Sequence, residues 1–388
     1  MKVIFFANTD WYLYNFRLAL ARHVSTLGAD VVMLSPPGEF SSRFAQHGLR
    51  WLAVEMDRAS LNPLSEALTL RRLAATIKLE RPDLLHNFTV KCAVYGSVAA
   101  RIAQVPAVVN AVAGMGFVYS SDTAKARLLR PVVNTLMRNT LGRKNSRLIL
   151  QNPDDADAFT QSRIVPDSQI RLIRSSGVNT ERFKPSPHTE PRRALRVLFA
   201  ARLLREKGIH EFVSAARILG EQGRDFEFLV AGSIDPGNPR SVAASEVQEW
   251  QEEGIVRVLG HVDDMAGLLR SIDVMALPSY YREGVPRSLT EAAASGVALV
   301  TTNLPGCREV VRNSGVDGLH VLPRDVESLA AALATLDDDR DLLSRLGQQA
   351  RQRALEEFDE KLVIKNTVEV YNELLPADLR LGPSTGVE

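Results

Sequence analysis

Cysteine is nearly absent from this sequence: Cys92 and Cys307 are the two copies in 388 residues, and no C-x-x-C spacing links them. That excludes a disulfide-stapled framework and a thiolate metal cluster, and it fits a reducing compartment, the cytosol. Long apolar runs are missing as well. The start, Met1-Lys-Val-Ile-Phe-Phe-Ala-Asn8, turns polar again almost at once, too short a run for the apolar core of a signal peptide or for a membrane span. Val3–Ala7 reads instead as a first β-strand. No G-x-G-x-x-G follows it, which disfavours a nicotinamide-dependent dehydrogenase. Net charge of one sign is lacking too, at +1 overall, and no recognised nucleic-acid motif accompanies the basic residues, so nucleic acid is not an expected partner.

What is present suits a globular enzyme of two ordinary domains: 388 residues, 45% apolar and 24% charged. The charge is unevenly laid out. Residues 1–180 carry 22 Lys and Arg against 13 Asp and Glu, and the remainder 25 against 33. A basic half joined to an acidic half points to an anionic partner for the first. Apolar runs of strand length at Val3–Ala7, Asp30–Ser35, Trp51–Val54, Leu84–Asn87, Ala107–Ala111 and Leu148–Asn152 alternate with helical periodicity at Asn15–Leu27, Leu64–Leu79 and Ala93–Ala103. This alternation argues for an α/β doubly wound parallel sheet, whose ligands sit beyond the carboxyl ends of the strands. Asn8–Tyr14 is read as the loop at the first such end, with Trp11 and Tyr12 placed either to stack on a sugar or simply to pack.

The richest stretch lies in the second half. Ile272-Asp-Val-Met-Ala-Leu-Pro278 is a buried strand stopped by proline, and Ser288–Ser295 is a good helix ending at Gly296. Glu283 therefore sits on the loop between them and Glu291 about a turn inside the helix. Gly284-Val285-Pro286 lets backbone N–H groups approach a ligand, beside a helix N-terminus that favours an anion. Two carboxylates beside an anion site suit hydroxyl recognition on a phosphorylated sugar; a capped helix with a solvated glutamate is the plainer alternative.

Glu283 and Glu291, with Gly284 and Pro286 between them, resemble the E-x7-E signature of glycosyltransferase family 4, retaining enzymes of the GT-B fold. Asp273, Pro278, Gly296, Gly306, Glu309 and Gly318 fall where that pattern expects them, and Arg202-Leu-Leu-Arg-Glu-Lys-Gly208 resembles its G-R-L-x-x-x-K-G loop, with Ala201 replacing the usual glycine. The resemblance implies two Rossmann-like domains facing each other across a cleft: residues 1–175 on the acceptor side, 176–359 binding the nucleotide sugar, and a final helix within 360–388 crossing back to the first. It implies that Arg202 and Lys207 act on the donor diphosphate, that Glu283 holds donor-sugar hydroxyls with Gly284, Val285 and Pro286 beside it, that Glu291 holds the ribose, and that His261 and Val262 contact the base. No metal or other cofactor is expected, the two cations neutralising the leaving group instead. Asp155-Ala-Asp157 looks like a metal-binding D-x-D but reads better as acids in a first helical turn.

In the first half, His86-Asn-Phe-Thr-Val-Lys91 and Asn110–Gly116 resemble a subgroup that adds N-acetylhexosamines to undecaprenyl-diphosphate-linked glycans. There the acceptor side would fall to Thr89, Lys91, Gly114 and Gly116. The position of a histidine found after the fifth strand in some relatives falls near Val112, so no role for it carries over. Ser121–Arg147 holds seven basic residues and one acid, Asp122, alongside an apolar face. It reads as a segment for the inner face of the cytoplasmic membrane, or as an ordinary packed helix with a solvated basic side. The expectation is a peripheral membrane enzyme moving a sugar from a UDP-sugar donor to a lipid-linked saccharide acceptor. A sugar-nucleotide epimerase of the same architecture, or a transferase using GDP-mannose or another hexose donor, is the alternative.

Overall fold

The computed structural model describes residues 1–56, 62–114, 124–186 and 193–382, with the side chains of 63, 124–130 and 132 also left aside. The chain divides into two compact units, Met1–Gly177 with Lys361–Glu388, and Val178–Glu360.

The first unit is built on a seven-stranded sheet: β1 (Lys2–Phe6), β2 (Asp30–Ser35), β3 (Arg50–Ala53), β4 (Leu84–Phe88), β5 (Ala107–Val112), β6 (Ser146–Leu150) and β7 (Ile170–Leu172), in the order β3-β2-β1-β4-β5-β6-β7. Every pairing is parallel, for example Val3 with Val31 on one side and with Leu84 on the other. Helices cover both faces, so the central strands are buried on both sides, which is why they read as unbroken apolar runs rather than as alternation. The helix Glu360–Asn372 supplies part of this core: Val363, Val368, Val370 and Tyr371 pack in one cluster with Val3, Phe5 and Phe88.

The second unit repeats the plan with β8 (Leu195–Ala200), β9 (Phe226–Ala231), β10 (Arg257–Gly260), β11 (Val274–Leu277), β12 (Ala298–Thr302) and β13 (Leu319–Val321), ordered β10-β9-β8-β11-β12-β13 and again all parallel. In each sheet the order reverses between the first and fourth strands, β1/β4 and β8/β11. Such switch points open a crevice at the strands' carboxyl ends where α/β proteins bind ligands.

Several expectations need correction. Asn8–Tyr14 is not a loop: the first helix runs Asp10–Thr26, because the Thr9 hydroxyl accepts from the Tyr12 N–H at 3.1 Å and caps it. Trp11 and Tyr12 thus lie in a first helical turn. The helix after β4 starts at Val90, so Lys91 is helical too. The short edge strand β7 was not anticipated, three residues being too few to show a period. In the second unit the helix Arg340–Arg353 passes into a π turn, Ala354–Phe358.

The basic segment forms a helix, Ala124–Leu141, with Pro131 inside it. Met137 and Leu141 are buried in a cluster with Leu148, Leu150 and Phe159. Arg138 donates to the carbonyls of Ser162 and Arg163, each at 2.8 Å, and Arg147 pairs with Glu373 at 2.7 Å. These two cations bind the protein itself; Lys125, Arg127 and Arg130 have side chains outside the described set. Among the described residues no helix is long and apolar enough to cross a membrane.

Candidate active site

At the β8/β11 switch point two loops meet in close contact. The turn after β8, Arg205–Lys207, ends at Gly208, whose φ is +82°, and a Cβ added there would stand 2.4 Å from the Pro278 carbonyl oxygen. Glycine is the one residue that tolerates both the conformation and the approach. The contact draws Lys207 to Glu283, and the two form an ion pair with both side chains largely covered. The Ser279 hydroxyl donates to the other Glu283 oxygen at 2.7 Å. Ser279 is fully buried, and its carbonyl accepts from the Thr302 hydroxyl at 2.5 Å, which ties the site to β12. On the far side Gly306 supports the Glu283-Gly284 backbone so closely that a Cβ would stand 2.0 Å from the Gly284 carbonyl oxygen. Cys307 beside it is a buried thiol, pushed up to about 12 by burial and then by the charge of Glu283, so it offers no thiolate.

The helix Arg287–Ala294 follows directly after Pro286. Glu291 faces Arg287 on the same helix, which donates to it from Nε at 2.7 Å. Burial pushes the Glu291 carboxyl above its usual range, opposed by Arg287 and then Arg182. Arg202 is held elsewhere, on Asp235 at 2.6 Å, and that carboxylate also accepts from Asn238 at 3.1 Å. Arg202 and Lys207 thus leave one strand end together but pair with different carboxylates. His261 is exposed, 3.4 Å from Asp263, while Val262 packs against the core of the unit. The ends of β9 and β10 meet through the Gly232 N–H, which donates to the Gly260 carbonyl at 2.7 Å.

On the first unit Lys91 is not a solvated charge. It pairs with Glu66 at 2.9 Å, and the Tyr95 hydroxyl bonds the same carboxylate. Thr89 precedes this helix at φ +74°, ψ +157°, a region nearly confined to glycine, and makes no side-chain cap. A β-branched residue there is strained, at a cost of order 1–3 kcal/mol, and such strain clusters at functional sites. Gly114 has φ +82°. Gly116 lies outside the described residues. Asn152 caps the helix Pro153–Gln161: its side chain accepts from the Asp155 N–H at 2.8 Å and donates to the Asp155 carboxylate at 3.0 Å.

Two family models match this chain. One, described as glycosyl transferase 4-like, matches residues 2–152, and the other, glycosyl transferases group 1, matches residues 180–353. The chain is a glycosyltransferase. Among curated members, it is 28% identical to an N,N'-diacetylbacillosaminyl-diphospho-undecaprenol alpha-1,3-N-acetylgalactosaminyltransferase of Campylobacter jejuni, over 97% of this chain and 99% of that one. It is 29% identical to a glycogen synthase of Mycobacterium tuberculosis, over 91% and 90%. In structure it is similar to Anabaena HepE, solved in complex with UDP: TM-score 0.77 at 20% identity, covering 96% of this chain and all of that one. That likeness carries the fold, GT-B. For a glycosyltransferase of this group, reading the sequence passed over Ser279, Asp235, Arg287 and Glu66, the partners that hold the charged residues. Ser279 had a signal, a hydroxyl directly after the strand-ending proline, and so had Arg287, four residues before Glu291 on one helix; Asp235 and Glu66 lie where no local pattern marks them.

Proposed function

We propose that this glycosyltransferase moves an N-acetylhexosamine from a UDP-sugar to an undecaprenyl-diphosphate-linked saccharide, with retention of configuration. The observation that carries the reading is the Lys207–Glu283 pair, an ammonium and a carboxylate joined across the β8/β11 switch point. Near-full-length similarity to a transferase whose name specifies such an acceptor supports the substrate class.

In this reading Lys207 turns to the donor diphosphate while Glu283, steadied by Ser279, receives donor-sugar hydroxyls. Arg202 adds a second cation to the departing diphosphate, and Glu291 holds the ribose. His261 and Val262 border the base, and Gly284, Val285 and Pro286 bring backbone against the phosphates. Charge developing on the leaving group is met by fixed cations that need little reorganisation, so a metal ion has no step to perform. Attack comes from the face the diphosphate leaves, through an oxocarbenium-like transition state, with the donor phosphate taking the acceptor's proton. Thr89, Lys91, Gly114 and Gly116 serve the acceptor. The enzyme works at the inner face of the cytoplasmic membrane, reached through its lipid-linked substrate and the basic segment 121–147.

The test is nucleotide release from UDP-GlcNAc, UDP-GalNAc and GDP-mannose in EDTA, with and without an undecaprenyl-diphosphate-linked sugar, and NMR of the product's anomeric centre. Release that needs the acceptor, yields an α-linked product and is abolished by Glu283→Ala is expected. Conversion of donor without acceptor makes the protein an epimerase. Transfer from GDP-mannose alone, or to a soluble glucan instead of the lipid-linked sugar, replaces the substrates proposed.

A further inference from the structure

The β1/β4 switch point of the first unit has a charge arrangement opposite to that at Lys207 and Glu283. Arg17 is only 6% exposed. Its Nη2 donates to the Tyr12 hydroxyl at 2.9 Å, and its guanidinium lies 4.6 Å from the centre of the Phe88 ring. Among the described residues its Nε has no hydrogen-bond partner and no carboxylate pairs with it. A buried cation is costly unless an anion accompanies it, and aromatic faces offset only part of that cost.

His86, on β4 and 1% exposed, is a second orphan. Its Nδ1 lies 2.6 Å from the Tyr371 hydroxyl, while its Nε2 has no partner among the described residues. His86 is also the one hydrogen-bond partner of that hydroxyl among the described residues. A buried phenol with a single neighbour satisfies its proton by donating, so Tyr371 donates to Nδ1 and the ring hydrogen sits on Nε2. Burial, and then the charge of Arg17, hold the imidazole well below its ordinary range, so it is neutral near pH 7. Two unsatisfied N–H donors and a net positive charge thus border one cavity, of about 10 Å³, whose lining includes Gln151, Ser175 and Thr367. That is room for a single oxygen atom. A water there would satisfy the donors and leave the guanidinium charge unopposed; an anionic oxygen does both.

We infer that Arg17 and His86 form an oxyanion receptor in the first unit, taking one phosphate oxygen of the acceptor. The identity of that phosphate rests on the acceptor reading above; the receptor itself rests on the two orphaned donors and the cavity they share.

The test uses the full chain with UDP at saturation, so that the Lys207 side is already filled, and titrates inorganic pyrophosphate and inorganic phosphate while following histidine side-chain ¹⁵N–¹H signals. His86→Gln assigns the resonance by its disappearance. A saturable shift of that signal in the wild type is expected, weakened roughly 10-fold or more in Arg17→Met and partly restored in Arg17→Lys, a loss in line with removing one charged, buried hydrogen bond. Circular dichroism and unchanged UDP affinity report that each variant is folded. A wild-type signal indifferent to both anions, as for a site that holds water only, overturns the receptor without recourse to any variant. An anion response with no transfer to a diphosphate-linked sugar supports the receptor and removes the acceptor reading. Transfer to that sugar with an unchanged KM in Arg17→Met removes the receptor and keeps the acceptor reading.

Discussion

The two units share one plan and end it differently. Each has a parallel sheet whose order reverses between its first and fourth strands, and each places a basic side chain after the first; the polar groups near it lie after the fourth strand in the second unit and on it in the first. In the second unit the cation is balanced: Lys207 meets Glu283, and Ser279 holds the carboxylate from behind. In the first unit Arg17 meets aromatic rings and a neutral histidine. The difference teaches that a shared fold sets where a site lies but not its charge state. A compensated pair costs little while empty and can trade partners when a ligand arrives. An uncompensated buried cation carries its desolvation cost until an anion relieves it, so its selectivity for anions is built in before binding.

The largest effect expected from separating the two is on turnover. Lys207→Met should lower kcat on the order of 10²- to 10³-fold, the loss typical when one group that stabilises developing charge is removed. The His86 response to pyrophosphate should stay as in the wild type. Steady-state kinetics and the ¹⁵N titration check the two halves, and a variant that lost both would break the comparison by showing the sites to be one.

A smaller effect should follow from the glycine that draws Lys207 to Glu283. Gly208→Ala combines a left-handed φ with a 2.4 Å clash against backbone, whereas Gly28→Ala, at φ +89°, meets nothing within 4 Å. Denaturant unfolding should give about 1 kcal/mol for Gly28→Ala and about 2–4 kcal/mol for Gly208→Ala, with activity lost only in the latter. Equal costs would mean that the conformation, not the loop contact, makes glycine necessary at 208.

The smallest effects are in pH dependence, and they should carry opposite signs in the two units. Hydrogen bonds from Arg171, and less strongly from Arg147, hold the Glu373 carboxyl below its ordinary 4.5. Its folded value is depressed, so its stabilisation is complete above about pH 4.5 and disappears as pH falls through that lower value. Glu373→Gln should cost about 0.5–1 kcal/mol at pH 7 and nothing in acid. Burial raises Glu291 above the same 4.5, so its penalty is absent below that pH and grows as pH rises through the folded value. Relative to wild type, Glu291→Gln should therefore gain stability between pH 4 and pH 8. Unfolding curves across that range test the pair, and slopes of the same sign would remove burial as the cause at Glu291.

Much of the fold was legible because buried parallel strands must be continuous apolar runs and amphipathic helices must show a period near 3.6. Capping was the weak point. Thr9 starts the first helix five residues before the apolar periodicity becomes visible, so Trp11 and Tyr12 were read as a loop. The Glu283-to-Glu291 stretch was legible because strand, proline, loop and helix are consecutive in the chain. The partners of its charges were not: Lys207 reaches Glu283 across 76 residues, and His86 reaches Tyr371 across 285.

The sequence by itself determined the class of this protein: two α/β units, the strands that carry them, the loop with its two carboxylates, and membership of a glycosyltransferase family. Those properties rest on local periodicity and on contiguous motifs, which folding preserves. Only the tertiary structure decided which charges are neutralised and which are stranded. That Lys207 is paired, that Lys91 is bound to Glu66 and that Arg17 is buried with no acid paired to it among the described residues follow from distances between residues remote in the chain. Electrostatic energy depends on those distances and on burial, neither of which is written in the order of the residues.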